Sequence, residues 1–260
     1  MTNNLFISCI QTNLIWEDKE ANFTNFESLF QKLPIESQIV VLPEMFSTGF
    51  SMNPQKFAEP FDGKTINWLK NQANKANKII IGSIIITDNG NNYNRLVTVF
   101  PNGEILFYDK RHLFRMAGEH NHYSSGKNKL IFTLDNWNIC PLICYDLRFP
   151  VWSRNKNNYN VLIYIANWPE ARSYAWKNLL IARAIENQCF VIGVNRVGID
   201  GNNIKHTGDS MIINPYGQII TQAKANEEQI LSAELSFDEI ESIRKKFPAH
   251  LDADDFEINI

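Results

Sequence analysis

Apolar positions along this chain follow two periods that alternate from one end to the other. Leu5 to Gln11 reads as a strand, and Asp18 then stands where a helix cap belongs, ahead of Phe23, Phe26, Phe30 and Leu33 at helical spacing. Ile39 to Pro43 is a short continuous apolar run, the pattern of a buried strand. Ile66, Leu69, Ala73 and Ala76 mark a second helix, and Ile79 to Thr87 with Tyr93 to Phe100 form a strand pair about the turn residues D-N-G-N-N. Pro101, Asn102 and Gly103 turn the chain again into Ile105 to Tyr108. Leu130 to Leu134, Trp137 to Ile143, Val161 to Ala166 and Phe190 to Asn195 are further strands, the last two on either side of a helix carrying Ala175, Leu179, Ala182 and Ile185. Thr207 to Asn214 and Gln218 to Thr221 flank a P-Y-G turn, and a polar helix from Phe237 to Lys246 follows.

Strands and helices interleave with no repeat and no low-complexity linker, which predicts one α/β domain over residues 1–260, its two sheets lying between helices. A compact fold of this length removes roughly 70 to 75% of the surface of the unfolded chain, enough for a sizeable core. The composition, 44% hydrophobic and 20% charged, is that of a soluble globular protein. Lys+Arg 25 against Asp+Glu 28 leaves a net charge of −3, so no strong field calls for nucleic acid or an anionic membrane. No apolar run reaches the roughly 18 residues of a membrane span, and the start of the chain lacks a basic segment and a small-residue cleavage site. A cytoplasmic protein is expected. Cys9, Cys140, Cys144 and Cys189 show no framework spacing, which favours reduced thiols, three of them small core residues.

Three strand-like runs each close on an ionisable residue: Glu44 after I-V-V-L-P, Lys110 in L-F-Y-D-K, and Cys144 in I-C-P-L-I-C. An acid, an ammonium and a thiol at strand ends supply a base, a charge stabiliser and a nucleophile. A thiol reacts as its thiolate and needs a base or a positive charge nearby at neutral pH. The Y-D-L-R-F-P-V-W-S-R stretch after Cys144 can open a helix whose first N–H groups, Tyr145 onward, face an oxyanion. Glu44 sits where a buried strand gives way to a loop, and partial desolvation there would raise its pKa toward the range in which one carboxyl can take and return a proton. Each residue alone has an ordinary explanation: a core cysteine, a capping glutamate, a lysine on a solvated strand edge.

Taken together, P-E-M-F at Glu44, Y-D-K-R-H-L-F at Lys110 and C-Y-D-L-R-F-P at Cys144 resemble the three signature segments of the nitrilase superfamily, carbon–nitrogen hydrolases with a Glu-Lys-Cys triad. The similarity extends through R-A-I-E-N-Q at Arg183 to Gln188 and G-D-S-M-I-I-N-P-Y-G at Gly208 to Gly217. Within the superfamily, A-N-W-P and the sequence around Cys144 most resemble bacterial omega-amidases. The resemblance implies an αββα four-layer sandwich, a homodimer that extends the layers, and hydrolysis of the terminal amide of 2-oxoglutaramate, and of 2-oxosuccinamate, through a cysteine thioester. It implies no cofactor. The family's second glutamate falls on Glu119, in a loop where many relatives have proline at the position of Ser125.

By the same resemblance Arg148 binds the substrate carboxylate and Trp168 walls the pocket. Four helical residues place Arg148 about 6 Å along the axis from Cys144, a span suited to a five-carbon substrate. A salt bridge of Arg148 with Asp146 or Glu186, and core packing of Trp168, are the competing readings. A zinc site among His112, His120, His122, Cys140 and Cys144 lacks the paired spacing of such sites, and the sequence around a papain-type cysteine is absent. An amidase for carbamoyl compounds, acylated amines or deaminated glutathione, and a catalytically silent binding protein, remain as alternatives. The acidic end of the chain reads as a frayed tail.

Overall fold

A computed structural model of the chain describes residues 3–156 and 158–259. Two six-stranded mixed sheets form its centre. The first contains β1 (Asn4–Gln11), β2 (Ile39–Val41), β3 (Ile79–Asp88), β4 (Asn91–Val99) and β5 (Ile105–Asp109), with β14 (Gln229–Ser236) at the edge beside β1. The second runs β13-β12-β9-β8-β7-β6, from β6 (Phe132–Leu134), β7 (Trp137–Ile143), β8 (Val161–Ala166), β9 (Phe190–Asn195), β12 (Met211–Ile213) and β13 (Ile219–Gln222). A ribbon of β10 (Val197–Ile199) and β11 (Lys205–Thr207) stands apart. In each sheet three neighbouring strands are parallel, β1-β2-β3 in one and β7-β8-β9 in the other.

The layer order follows from which faces are buried. In β2, Ile39 and Val41 join the core between the two sheets, whereas Val40 packs with Phe23 and Phe26 of α1 (Lys19–Phe30). The two short helices α2 (Pro54–Phe57) and α4 (Pro150–Ser153) belong to loops, and α3 (Lys64–Ala76) completes the outer layer on this side with Ile66, Leu69 and Ala73. A strand covered on both faces needs no polar alternation, which is why I-V-V is uninterrupted. The second sheet is covered by Trp176, Leu180 and Ala184 of α5 (Ser173–Asn187) and by Ile240 of α6 (Phe237–Lys246). The result is the expected α/β sandwich of helices, sheet, sheet and helices. Asp18 caps α1 as its position suggested, accepting the Ala21 N–H at 3.0 Å.

Several expectations are corrected. The helical face Ala175, Leu179, Ala182, Ile185 is not the buried one: α5 turns Trp176, Leu180, Arg183, Ala184 and Asn187 inward and leaves Ile185 53% exposed. The Trp176 indole N–H donates to the Asp209 carbonyl at 2.9 Å and fixes that rotation. The strand expected from Thr207 to Asn214 is broken because Gly208 and Asp209 both take positive φ, 82° and 59°. Leu33 falls beyond α1, and β10 and β14 escaped the periodicity reading. The acidic tail folds back on its own chain, where the Lys156 ammonium donates to the Phe256 carbonyl at 3.1 Å and pairs with Asp255. Among the described residues no helix is long and apolar enough to cross a membrane.

Gly193 in β9 shows how tightly α5 lies on the sheet, since a Cβ there would stand 2.4 Å from Leu180 Cδ1 and 2.9 Å from Trp176 Cζ2. Gly193→Ala is therefore expected to destabilise the protein by about 1–3 kcal/mol, read from the midpoint of denaturant unfolding; an unchanged midpoint would contradict this packing.

Candidate active site

Glu44 follows β2 and Cys144 follows β7, both at the carboxyl ends of parallel strands, where open α/β sheets place their ligand sites. Lys110 follows β5, which runs in the direction of β3 because two antiparallel pairings separate them. The sandwich thus delivers all three residues to one rim. Asn94, near the start of the opposed strand β4, reaches the same rim, and its carbonyl accepts the Lys110 N–H at 3.0 Å.

The Lys110 ammonium, 1% exposed, is 2.8 Å from Glu44 Oε1 and 3.0 Å from both carboxylate oxygens of Glu119. Glu44 also accepts the Asn94 side-chain N–H at 2.8 Å and, on Oε2, the backbone N–H of Asn167 at 2.8 Å. Glu119 accepts the Phe114 N–H at 2.5 Å. Burial disfavours the Lys110 charge, but Glu119, Glu44 and Cys144 outweigh it and hold the pKa above the ordinary lysine value. Burial raises the pKa of Glu119, with Lys110 opposing and Glu44 reinforcing the shift.

Cys144 sits at an elbow. Its φ of 44° is in the left-handed region, which costs an L-residue on the order of 1–3 kcal/mol and persists only where surroundings enforce it. Asp146 supplies that enforcement: it accepts the Ile143 N–H at 3.0 Å, the Tyr108 hydroxyl at 2.8 Å and the His112 N–H at 3.0 Å, with the His112 ring at 2.8 Å. The Trp152 indole in turn donates to the Tyr108 oxygen at 3.0 Å. Burial, then the Glu44 charge, pushes the Cys144 thiol well above its usual pKa, with Lys110 opposing. Cys9, Cys140 and Cys189 are buried too, burial raising Cys140 to about 12, and none lines the cavity described next.

A small cavity of about 60 Å³ opens onto Cys144 and Lys110. Tyr145, Arg148 and Trp168 line it, so every site residue expected from the sequence is here or in the ion cluster beneath. The helix expected after Cys144 is instead a 3₁₀ turn, Cys144–Arg148, ended before Pro150. At about 2 Å per residue that turn carries Arg148 about 8 Å from Cys144 along its axis. Neither suggested acid pairs with Arg148, since Asp146 is committed to the elbow and Glu186 to Arg183. The guanidinium lies 5.1 Å from the Trp168 ring centroid. Trp168 is both wall and core, 3% exposed and packed on Trp176 at 5.5 Å. Gly126 closes the Glu119 loop against β5: its N–H donates to the Lys110 carbonyl at 2.9 Å, and a Cβ would meet the Asp109 carbonyl at 2.1 Å. Among the described residues no cluster of three or more His, Cys, Asp or Glu side chains could hold a metal.

A carbon–nitrogen hydrolase family model matches residues 6–245. The chain belongs to the carbon–nitrogen hydrolase family. Omega-amidase YafV of Escherichia coli K12 is 46% identical over 254 residues, 98% of each chain. The 2-oxoglutaramate amidase of Bacillus subtilis 168 is 36% identical over 247 residues, 93% of this chain and 95% of that one. Among solved structures, XC1258 of Xanthomonas campestris, described as a CN-hydrolase superfamily protein with an arsenic adduct in the active site, superposes with a TM-score of 0.96 at 40% identity, covering 98% of this chain and 99% of that one.

Sequence reasoning missed Asn94, Asn167, Asp146 and Tyr108 in this carbon–nitrogen hydrolase. Asn94 left a signal, a strand-averse residue within a run that is otherwise apolar toward its end. Asn167 lay inside the A-N-W-P segment without a chemical mark of its own. A raised thiol pKa keeps Cys144 protonated at neutral pH, so its thiolate grows in only as pH rises. Glu44→Gln removes a cause of that rise and leaves Lys110 beside the sulfur. The thiolate of this variant is expected to emerge at lower pH than in the wild type, followed by ultraviolet thiolate absorbance against a Cys144→Ala blank. An unchanged or higher midpoint would contradict the electrostatics described.

Proposed function

We propose that this chain is an omega-amidase that hydrolyses the terminal amide of 2-oxoglutaramate, and of its shorter relative 2-oxosuccinamate, to the 2-oxo acid and ammonia. The observation that carries this reading is the cavity itself, where one thiol faces a buried carboxylate-ammonium cluster at one end and, at the other, Arg148, which has no acidic partner among the described residues. The printed names of the two curated relatives agree with it.

In the proposed reaction Glu44 takes the Cys144 proton and the sulfur attacks the amide carbon. The tetrahedral oxyanion is held by the Lys110 ammonium and by the N–H of Tyr145, which is the second residue of the 3₁₀ turn and so lacks an acceptor within it. The carbon–nitrogen bond breaks, and ammonia leaves with the proton from Glu44. Water, deprotonated by the same carboxylate, attacks the thioester carbon; the carbon–sulfur bond breaks, the acid leaves, and Glu44 returns the proton to the Cys144 sulfur. Glu119 fixes Lys110 through both carboxylate oxygens and orients the substrate amide, Arg148 pairs with the far carboxylate, and Trp168 holds that arginine and walls the pocket. No cofactor enters this scheme, and all its groups belong to one domain spanning residues 1–260. A cytoplasmic setting fits a reaction that needs a reduced thiol.

Cys144→Ala is expected to abolish ammonia release from 2-oxoglutaramate, and mass spectrometry during turnover should find an acyl adduct on the wild type alone. An adduct retained by the variant would refute the assignment. Lys110→Met should lower kcat on the order of 10²- to 10³-fold.

The reading includes a homodimer, supported by the outer stripe of α5, where Tyr174 is 81% and Ile185 53% exposed. Ile185→Asp is expected to shift the protein from dimer to monomer in sedimentation; a wild type that sediments as a monomer would remove this part.

A further inference from the structure

Arg172 joins Arg148 on the cavity wall. Its guanidinium stands 5.1 Å from the Phe114 ring centroid, as that of Arg148 stands 5.1 Å from Trp168. Trp168 connects the two, carrying Arg148 against its ring while its indole N–H donates to the Arg172 carbonyl at 2.8 Å. Among the described residues neither guanidinium forms an ion pair. Two arginines oriented by aromatic faces and left without acids make a site for an anion with several acceptor atoms.

The remaining polar groups of the outer cavity fit that charge. Asp200 spends Oδ1 on the N–H groups of Asn202 and Ile204, at 2.8 and 2.9 Å. His206, on the β10-β11 ribbon, is kept neutral because burial and the Arg196 charge press its pKa down to about 4. The head of the cavity therefore presents two guanidiniums and a single carboxylate, Asp200, whose Oδ1 is bound by backbone donors, which leaves the wall with a net positive charge.

We infer that Arg172 is a second specificity-determining residue, forming with Arg148 a two-guanidinium clamp for the 2-oxo-acid head of the substrate. This rests on the omega-amidase reading. A 2-oxo acid offers its carboxylate and adjacent carbonyl oxygen as acceptors in one plane, matching two forks of N–H donors. An α-amino acid amide such as L-glutamine would instead bring an ammonium against two guanidiniums that outnumber the one carboxylate beside them, and the clamp works against it. Arg172 also touches the catalytic end indirectly, because the residue beneath it, Phe114, donates its backbone N–H to Glu119.

The test compares kcat/KM of wild type, Arg172→Met and Arg172→Lys on 2-oxoglutaramate, glutaramate, L-glutamine and pentanamide. Arg172→Met should lower the preference for 2-oxoglutaramate over pentanamide on the order of 10- to 100-fold, chiefly through KM. Its preference for 2-oxoglutaramate over glutaramate and over L-glutamine should fall as well, with partial recovery in Arg172→Lys. Equal losses on all four amides would mark a merely structural arginine and overturn the inference, as would unchanged ratios. A wild type that ignores 2-oxoglutaramate yet hydrolyses pentanamide would instead sink the substrate reading, a result distinct from either.

Discussion

The contact on which the rest depends is the buried bridge from Lys110 to Glu44 and Glu119. Three formal charges lie together with exposures of 0 to 1%, in a place where any one of them alone would be costly. Desolvating an ion costs several kcal/mol even after relaxation, and removing one partner from a buried pair typically costs about 3–5 kcal/mol. The cluster persists because donors meet the remaining lone pairs: Asn94 and the Asn167 N–H on Glu44, and the Phe114 N–H on Glu119. Each of these comes from a different part of the chain. The ion cluster therefore ties β4, the loop after β5 and the end of β8 to one point, and the two sheets must close on each other for it to form.

This constraint explains why the site stands at a rim and not in the core between the sheets. Parallel strands end together, so their following residues converge without further design, and the loops there are free to carry polar side chains. Asp146 repeats the same device on a smaller scale. It collects donors from β5, from the Lys110 loop and from its own strand end, and in doing so holds Cys144 in a backbone conformation that would relax if left alone. Cys144 and Lys110 are joined covalently to neighbouring members of that network, Tyr108 lying two residues before Lys110 and Asp146 two after Cys144.

What could be seen in the sequence follows from the same physics. Uninterrupted apolar runs such as I-V-V and L-I-Y-I are legible as strands because both faces are covered, and an ionisable group closing such a run stands out; Glu44 and Cys144 were visible for that reason, whereas Lys110 closes the edge strand β5, where Phe107 is 46% exposed, and stood out only beside the other two. The resemblance to a known family then supplied Glu119, Arg148 and Trp168, which periodicity would not have selected. The rotation of α5 was not legible, because the helix has two apolar stripes and only contact with Gly193 and the Asp209 carbonyl chooses between them. β14 alternates correctly through Leu231, Ala233 and Leu235, but its serines and alanine carry little strand preference, and its partner β1 lies at the far end of the chain. Asn94, Asn167 and Arg172 take their meaning from neighbours distant in sequence.

The proton economy of the site follows from a thiol that is neutral at rest. Were Cys144 a standing thiolate, the cluster would hold three negative groups around one ammonium, and Glu44 would have no proton to accept. Burial and the Glu44 charge prevent this by favouring the protonated sulfur. In the proposed reaction the proton moves only when substrate brings an acceptor carbon and an oxygen on which negative charge can develop, next to Lys110. In the proposed cycle Glu44 receives that proton at the moment the leaving nitrogen comes to need it, so one carboxylate serves both half-reactions without exchange with solvent. A cavity this small, flanked at its outer end by arginines and bounded at the inner end by a satisfied ion cluster, suits chemistry in which charge is redistributed among groups already present.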